Sequence, residues 1–301
     1  MKQITFILIF VFFALSSVKA QDSRAVSFDK NWRFKKDTLK GAENPTYNDS
    51  RWRMLNLPHD WSIEDLPNQK EGEVQGPFTK ASIGKAATGF TEGGTGWYRK
   101  TFIQDKTSQG KLTYIIFDGV YMDADVWING HHLGNHPYGY TSFYYDLTSF
   151  LNPIGKPNVI AVCAKNEGKT SRWYSGSGIY RHVWLLPVNP VHTTIWGNYI
   201  TTPEVSENEA TVSVQTSVEN ISRVKRAIEV KVELVDLAGK VVAFQKKALN
   251  IPADSSADLT QQLKITNPAL WTLENPVLYK ARVILTIGNK TIDQTVTPFG
   301  I

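Results

Sequence analysis

Hydrophobic and polar residues alternate with a period of two between positions 123 and 128, as in a half-buried strand. The apolar positions are Ala124, Val126 and Ile128, and the positions between them are Asp123, Asp125 and Trp127. Asn129-Gly130 follows at once and predicts a tight hairpin, because a type I′ turn needs positive φ at both central residues. The apolar run Leu112–Phe117 predicts a buried strand. So many rings near one hairpin indicate that a second sheet covers it.

Residues 22–187 contain further short strands, predicted at 28–34, 97–102, 159–164 and 179–186, with no amphipathic helix of ten residues between them. This pattern is typical of a β-sandwich or jelly roll. Residues 64–96 form a long, polar, glycine-rich stretch without a period. Loops of that length are binding loops or disordered segments.

Residues 190–301 alternate more regularly and predict a second all-β domain. Apolar residues repeat every second position at 210–218 and at 228–234, and turns are predicted at 238–240 and at Gly288-Asn289. About seven strands are predicted, which favours an immunoglobulin-like sandwich that lacks the Cys-Trp-Cys core of antibody domains. Eight of the nine tryptophans precede Gly197, so aromatic chemistry is concentrated in the first domain.

The first twenty residues predict a secretory signal. Lys2 precedes the apolar run 4–15, and 17–20 ends in small residues, so cleavage is expected after Ala20 and the protein is expected to be periplasmic or extracellular. The run is too short to span a bilayer, which takes about 20 residues. The expected domains are therefore a signal peptide at 1–20, a jelly roll at 21–189 and an immunoglobulin-like domain at 190–301.

The charge distribution argues against nucleic acid or an anionic membrane as a partner. Removal of Lys2 and Lys19 lowers the formal charge from +5 to +3, and residues 191–301 carry eleven basic and eleven acidic side chains. So weak and dispersed an excess does not create a basic surface. Cys163 is the single cysteine, so no internal disulfide can form, and its apolar neighbours predict a small core residue.

An ordered series of motifs resembles the N-terminal half of glycoside hydrolase family 2, in its β-galactosidase branch. The motifs are LPHDW (57–61), GGTGWYRK (93–100), FDGV (117–120), VWING (126–130), SRWYSGSGIYR (171–181), LW (270–271) and NPVLY (275–279). They extend over the whole chain after the signal. Any one motif is weak, but the series in this order is specific.

The resemblance implies that a (β/α)8 barrel with both catalytic carboxylates follows a segment like TPFGI (297–301). Retaining glycosidases need two carboxyl groups about 5 Å apart. Asp123 and Asp125 would be about 7 Å apart on one strand face, and a solvated face is the simpler interpretation. We therefore expect no catalytic residue in this chain, and the barrel is an expected partner.

Two loops are candidates for sugar binding, because sugars present C–H faces to flat rings and hydroxyls to fixed polar groups. The candidate residues are Asp60, Trp61, Arg172, Trp173 and Tyr174. The resemblance implies an acidic side chain at the position of Arg172, so this chain departs from the family pattern there. The alternatives are a turn or cap role for Asp60 and a core position for Trp173.

No metal or cofactor is predicted. His131 and His132 are neighbours on a strand and point to opposite faces, and His59 beside Asp60 has no nucleophile near it in the sequence. Two functions stay open: the non-catalytic N-terminal portion of a secreted exo-glycosidase that hydrolyses terminal β-galactosides, and a free-standing secreted carbohydrate-binding protein. A structural adhesion module is a third, and a homo-oligomer is left open.

Overall fold

The computed structural model describes residues 22–66, 76–169 and 171–301, and within them the chain is built of β-strands. The helical segments in these ranges are 3₁₀ turns of three or four residues at Trp61–Ile63, Lys85–Thr88, Lys106–Ser108 and Thr148–Phe150. None of the described helices is long and apolar enough to cross a membrane. The all-β prediction is confirmed. The expected signal at 1–20 lies outside the described residues and stays a prediction.

The first domain is a sandwich of two antiparallel sheets, as predicted. Its strands are β1 (Val26–Ser27), β2 (Trp32–Lys36), β3 (Arg53–Leu55), β4 (Gly94–Ile103), β5 (Leu112–Phe117), β6 (Ala124–Ile128), β7 (His131–His136), β8 (Phe143–Asp146), β9 (Pro157–Asn166) and β10 (Val183–Val188). The first sheet has the order β1-β10-β5-β8 and the second β3-β2-β4-β9-β6-β7. Ile115 and Phe117 of the first sheet meet Tyr98 and Val126 of the second in one core.

The hairpin of β6 and β7 forms where the sequence places it. Asn129 and Gly130 have φ of 51° and 83°, the positive values that a tight turn requires. Ala124, Val126 and Ile128 are fully buried. β5 does not pair with this hairpin, however, and belongs to the sheet that covers it. β5, which precedes the hairpin in the sequence, is thus one strand of the sheet that covers the hairpin.

Two strands begin later than their apolar runs. β2 begins at Trp32 because Asn31 turns the chain with φ of 60° and Asp29 accepts a hydrogen bond from the Val183 amide. β10 begins at Val183, since the preceding carbonyls of Gly178 and Ile179 bond to other loops instead of a neighbouring strand. The backbone groups of residues 178–182 therefore form hydrogen bonds with other loops and do not extend β10.

Cys163 lies in the core, as predicted. The thiol is 3% exposed and packs in a cluster with Trp52 and Trp97. Burial raises its pKa to about 12, so the thiolate is not formed at neutral pH. The residue acts as a small hydrophobic side chain.

The second domain is a seven-stranded sandwich within residues 191–301. Its strands are β11 (Val191–Val205), β12 (Glu209–Asn220), β13 (Arg226–Val235), β14 (Val241–Ile251), β15 (Ser255–Thr266), β16 (Tyr279–Ile287) and β17 (Lys290–Phe299). The sheet orders are β11-β12-β15 and β14-β13-β16-β17. Alternating residues of both sheets, Val212 and Val230 among them, form a core separate from that of the first domain. This is the predicted immunoglobulin-like architecture.

The two domains meet through a buried ion pair. The Arg24 guanidinium lies 2.9 Å from Asp293 and 2.6 Å from Asp22. Asp293 also accepts the Thr193 amide at 2.8 Å, while Arg24 donates to the Thr193 carbonyl at 2.8 Å. These contacts lock the start of the first domain onto β11 and β17. The boundary between residues 189 and 190 stays a prediction.

His192 lies at the same junction and predicts a pH dependence. The ring is 1% exposed, 6.1 Å from the Tyr114 ring and 3.7 Å from Glu219. Burial, assisted by the Arg24 charge, lowers its pKa from 6.5 to about 4. Between these values the unfolded chain binds a proton that the folded chain excludes, so stability falls as pH falls from 6.5 to 4. We expect a loss of about 2 kcal/mol at pH 5 relative to pH 8 from this group.

Urea denaturation at pH 5 and pH 8 checks the assignment. His192→Phe should remove most of this dependence, because the titrating group is gone. His131→Phe, which replaces an exposed imidazole, is the matched control and should leave the dependence unchanged. Equal pH dependence in the wild type and the His192 variant would contradict the prediction.

Candidate functional site

The Asp60 carboxylate joins the two candidate loops at one end of the first domain. It caps the 3₁₀ turn Trp61–Ile63, with Oδ1 accepting the Ser62 amide at 2.8 Å. The same oxygen accepts the Ser177 amide at 2.8 Å, and Oδ2 accepts the Tyr174 hydroxyl. We call residues 59–64 and 171–178 the rim. Asp60 is thus a helix cap, as the alternative interpretation proposed. Its bonds to Ser177 and Tyr174 also hold the second loop of the rim, residues 171–178, in place.

The second loop of the rim is held from below by a buried polar network. The Asn166 amide donates to the Gly176 carbonyl at 3.0 Å and to Ser177 Oγ at 2.8 Å. Ser62 Oγ donates to Ser177 Oγ at 2.6 Å. Gly176 has φ of 75°, and a Cβ there would lie 2.8 Å from Asp60 Oδ2. Glycine is therefore required for the loop to approach the carboxylate.

Trp61 is placed in the core. Its side chain is 4% exposed, and its ring stacks on Phe34 with centroids 5.7 Å apart. A Cβ on Gly96 would lie 2.4 Å from the ring, so the strand passes directly against the indole. Trp61 thus supports the rim from beneath and presents no face to a ligand.

Arg172, Trp173 and Tyr174 lie on the outer side of the rim. Trp173 is 66% exposed and Tyr174 is 40% exposed. Arg172 is exposed and makes no hydrogen bond or ion pair with the residues that the structure describes. Burial and the bond to Asp60 raise the pKa of Tyr174, which therefore stays a hydroxyl donor. A flat ring and a guanidinium are the groups available to a ligand here.

Part of the long polar stretch borders the rim. Residues 76–93 fold through a Phe78–Thr91 bridge and the turn Lys85–Thr88. Gly89 ends that turn with φ of 62°, and a Cβ there would lie 3.7 Å from the Trp173 ring. This stretch therefore supports the exposed indole. Residues 67–75 lie outside the described part.

A charged cluster that the sequence did not predict lies beside Asp60. His59 bonds to Glu64 at 3.0 Å through Nε2 and to the Tyr98 hydroxyl at 2.7 Å through Nδ1, and Arg53 donates to Glu64 at 2.6 Å. Burial lowers the pKa of His59. Burial alone would raise the pKa of Glu64, but the bonds from Arg53 and His59 outweigh it and lower that pKa. The cluster holds the LPHDW turn in place. Glu64 lies outside the motif, so the motif gave no indication that Glu64 would bind His59.

The other residues considered from the sequence are occupied by structural contacts. Asp125 pairs with Lys165 at 2.7 Å and with His132 at 2.9 Å. His131 instead stacks on Phe150, so the two neighbouring histidines do not converge. In residues 22–66, 76–169 and 171–301, no group of three histidine, cysteine or acidic side chains could hold a metal ion.

Sequence comparison matches both halves of the chain to one family. Residues 21–189 match the profile of the glycosyl hydrolases family 2 sugar binding domain, and residues 193–301 match that of glycosyl hydrolases family 2. The chain is 41% identical to the β-galactosidase BoGH2A of Bacteroides ovatus, over 91% of this chain and 31% of that protein. It is 30% identical to a β-glucuronidase of Formosa agariphila, over 94% of this chain and 30% of that protein.

Solved structures agree with this relation. A glycosyl hydrolase family 2 member from Bacteroides cellulosilyticus superposes with a TM-score of 0.87 and 40% identity, covering 92% of this chain and 35% of that one. A β-glucuronidase from glycoside hydrolase family 2 gives a TM-score of 0.82 and 31% identity, covering 92% and 30%. The chain thus spans about a third of the length of these relatives.

Proposed function

Since the chain belongs to glycosyl hydrolases family 2, we propose that it is the non-catalytic, sugar-recognising N-terminal portion of a secreted exo-glycosidase that hydrolyses terminal β-galactosides. The observation that carries the proposal is the rim, where Asp60 holds a loop that exposes Trp173 and Arg172. Export is proposed from the signal pattern in residues 1–20. The described residues contain no α-helix, so the (β/α)8 barrel implied by the resemblance is not among them.

The rim would form one wall of a sugar pocket. The exposed indole of Trp173 can stack on the C–H face of a pyranose, and Arg172 can donate hydrogen bonds to its hydroxyls. Asp60 holds both groups in position through Ser177 and Tyr174. One wall buries little of a sugar, so the rim by itself should bind a galactoside with a Kd of roughly 1 mM or weaker.

A β-glucuronide is the second candidate substrate, and Arg172 is the observation that favours it. The Arg172 guanidinium has no ion-pair partner among residues 22–66, 76–169 and 171–301, and such a group can pair with a carboxylate through two parallel hydrogen bonds. An acidic residue, which the resemblance implies at this position, would repel a glucuronide. The relatives named above include both activities.

Two chimeras test the function and the substrate. Residues 22–301 replace the matched portion of the Bacteroides ovatus β-galactosidase in one and of the Formosa agariphila β-glucuronidase in the other. We expect no turnover of p-nitrophenyl β-galactoside by residues 22–301 alone and clear turnover by the first chimera, because the carboxylate pair is then restored. Turnover restored in the second chimera alone would favour the glucuronide.

Variants of the active chimera show whether the rim takes part. Trp173→Ala should lower kcat/KM at least tenfold, whereas Trp196→Ala, which removes a similarly exposed ring elsewhere, should leave it unchanged. Equal effects of both variants would contradict a role for the rim. Micromolar binding of a galactoside by residues 22–301 alone that Trp173→Ala abolishes would instead favour a free-standing carbohydrate-binding protein.

A further inference from the structure

A groove of about 600 Å³ lies between the first sheet of the first domain and the beginning of the second domain. None of its lining residues belongs to the rim. We call it the interdomain groove. The residues that matter for its chemistry are Asp29, Asp118, Arg181, His182, Trp184 and Trp196. We propose that this groove is a second carbohydrate-binding site, which takes a neutral oligosaccharide.

One wall is created by a bulge in β11. The pairing of β11 with β12 passes from Thr193 opposite Val218 to Asn198 opposite Thr216, so residues 194–197 loop out of the sheet. Ile195 packs on the outer face of the first sheet, against the cluster that contains Tyr114 and Leu186. The bulge therefore fixes the wall against the first domain and places the next residue at the groove.

Trp196 at the tip of the bulge is both strained and exposed. Its φ of 57° is rare for a bulky residue, and 58% of the side chain is accessible. Its ring meets Tyr144 edge-on with centroids 5.5 Å apart. Backbone strain that leaves a large ring in solvent adds nothing to the core, and such strain is concentrated at ligand-binding sites. A ligand that contacts the indole would explain both the strained backbone of the bulge and the exposed ring.

Fixed hydrogen-bond acceptors lie across from that ring. The Trp184 indole donates to Asp118 Oδ2 at 2.8 Å, and Oδ1 of that carboxylate, which lines the groove, accepts no hydrogen bond from the described residues. Asp29 accepts the Val183 amide at 2.8 Å and bonds to His182 Nδ1 at 2.8 Å. Each carboxylate oxygen has two lone pairs, so both groups are held in place with acceptor capacity remaining.

This combination matches a neutral sugar. The exposed Trp196 ring offers a flat apolar face, and the half-buried Trp184 lines the groove beside it. Together with oriented carboxylates that accept from hydroxyl groups, this is the pairing that carbohydrate recognition uses. Three carboxylates, Asp22, Asp29 and Asp118, line the groove with one guanidinium, Arg181. Asp22 is already paired with Arg24, and the other two still outnumber Arg181, so a uronate or sulfated chain would meet net repulsion. The volume lies within the range of about 300–1,000 Å³ found for ligand pockets, which favours an oligosaccharide over a single sugar.

Isothermal titration calorimetry with residues 22–301 tests the proposal. The probes are β-1,4-galactotetraose, cellotetraose and xylotetraose, with tetragalacturonate as the acidic comparison. We expect at least one neutral tetrasaccharide to bind with a Kd of roughly 1 mM or tighter and tetragalacturonate to bind at least tenfold more weakly. No heat from the three neutral probes at 10-fold that concentration would overturn the proposal.

Two matched variants locate the binding. Trp196→Ala should weaken it at least tenfold, while Trp271→Ala, which removes an exposed indole that does not line the groove, should not change it. Asp118→Asn keeps an acceptor for Trp184 but removes the charge, and should weaken binding severalfold. Binding that Trp196→Ala leaves unchanged and Trp173→Ala abolishes would assign it to the rim and overturn the groove, whereas failure of the chimeras would leave this result unaffected.

Discussion

Replacement of Arg24 by methionine is expected to lower the free energy of unfolding by about 3–5 kcal/mol. The Arg24 and Asp293 side chains are 9% and 5% exposed, so the pair is almost entirely out of water. Methionine retains the length of the aliphatic chain but removes the positive charge. The carboxylates of Asp293 and Asp22 would then be buried without their partner, and that uncompensated burial is the main cost.

Urea denaturation followed by tryptophan fluorescence measures this change, and a second substitution checks its cause. Arg24→Met combined with Asp293→Asn should recover a large part of the loss, because an amide can still accept the Thr193 N–H without carrying charge. Lys264→Met is the control, since it removes an exposed ion pair with Glu209 that solvent screens, and it should leave the stability nearly unchanged. A loss below 1 kcal/mol for Arg24→Met would contradict the prediction.

Asp60→Ala is expected to lower kcat/KM of the active chimera about 100-fold. The variant removes the acceptor for the Ser62 and Ser177 amides and for the Tyr174 hydroxyl, so the loop that carries Arg172 and Trp173 is no longer fixed. A displacement of about 1 Å in a substrate-positioning group can cost about 100-fold. The loss would then follow from the displaced positions of Arg172 and Trp173.

Comparison with Tyr174→Phe separates the contributions. That variant removes one of the three bonds and should lower kcat/KM about tenfold, as expected for one hydrogen bond to a charged group. Asp60→Asn retains an acceptor for the two amides and should lie between the wild type and Asp60→Ala. If Asp60→Ala retains full kcat/KM while the chimera remains folded, the rim is structural and the site assignment fails.

Periodicity in the sequence was sufficient for the architecture. Alternation at 124–128 predicts the burial of every second residue, and Asn129-Gly130 predicts the turn, because both depend on neighbours in the chain. The same reasoning predicts the seven strands of the second domain and the buried Cys163. The ordered series of motifs indicated the family, and the two family profiles that match the chain agree with it.

Tertiary structure decided which strands and loops meet. The sequence does not distinguish the buried Trp61 from the exposed Trp173, since both are tryptophans in polar loops and differ only in what packs on them. Asp60 bonds to Tyr174 and Ser177 across 114 and 117 positions, a contact that no local pattern encodes. Likewise, the bulge that exposes Trp196 results from the register of β11 on β12. Hydrophobic periodicity and turn formation are determined by residues that are neighbours in the chain. The rim and the interdomain groove depend instead on contacts between segments far apart in the chain.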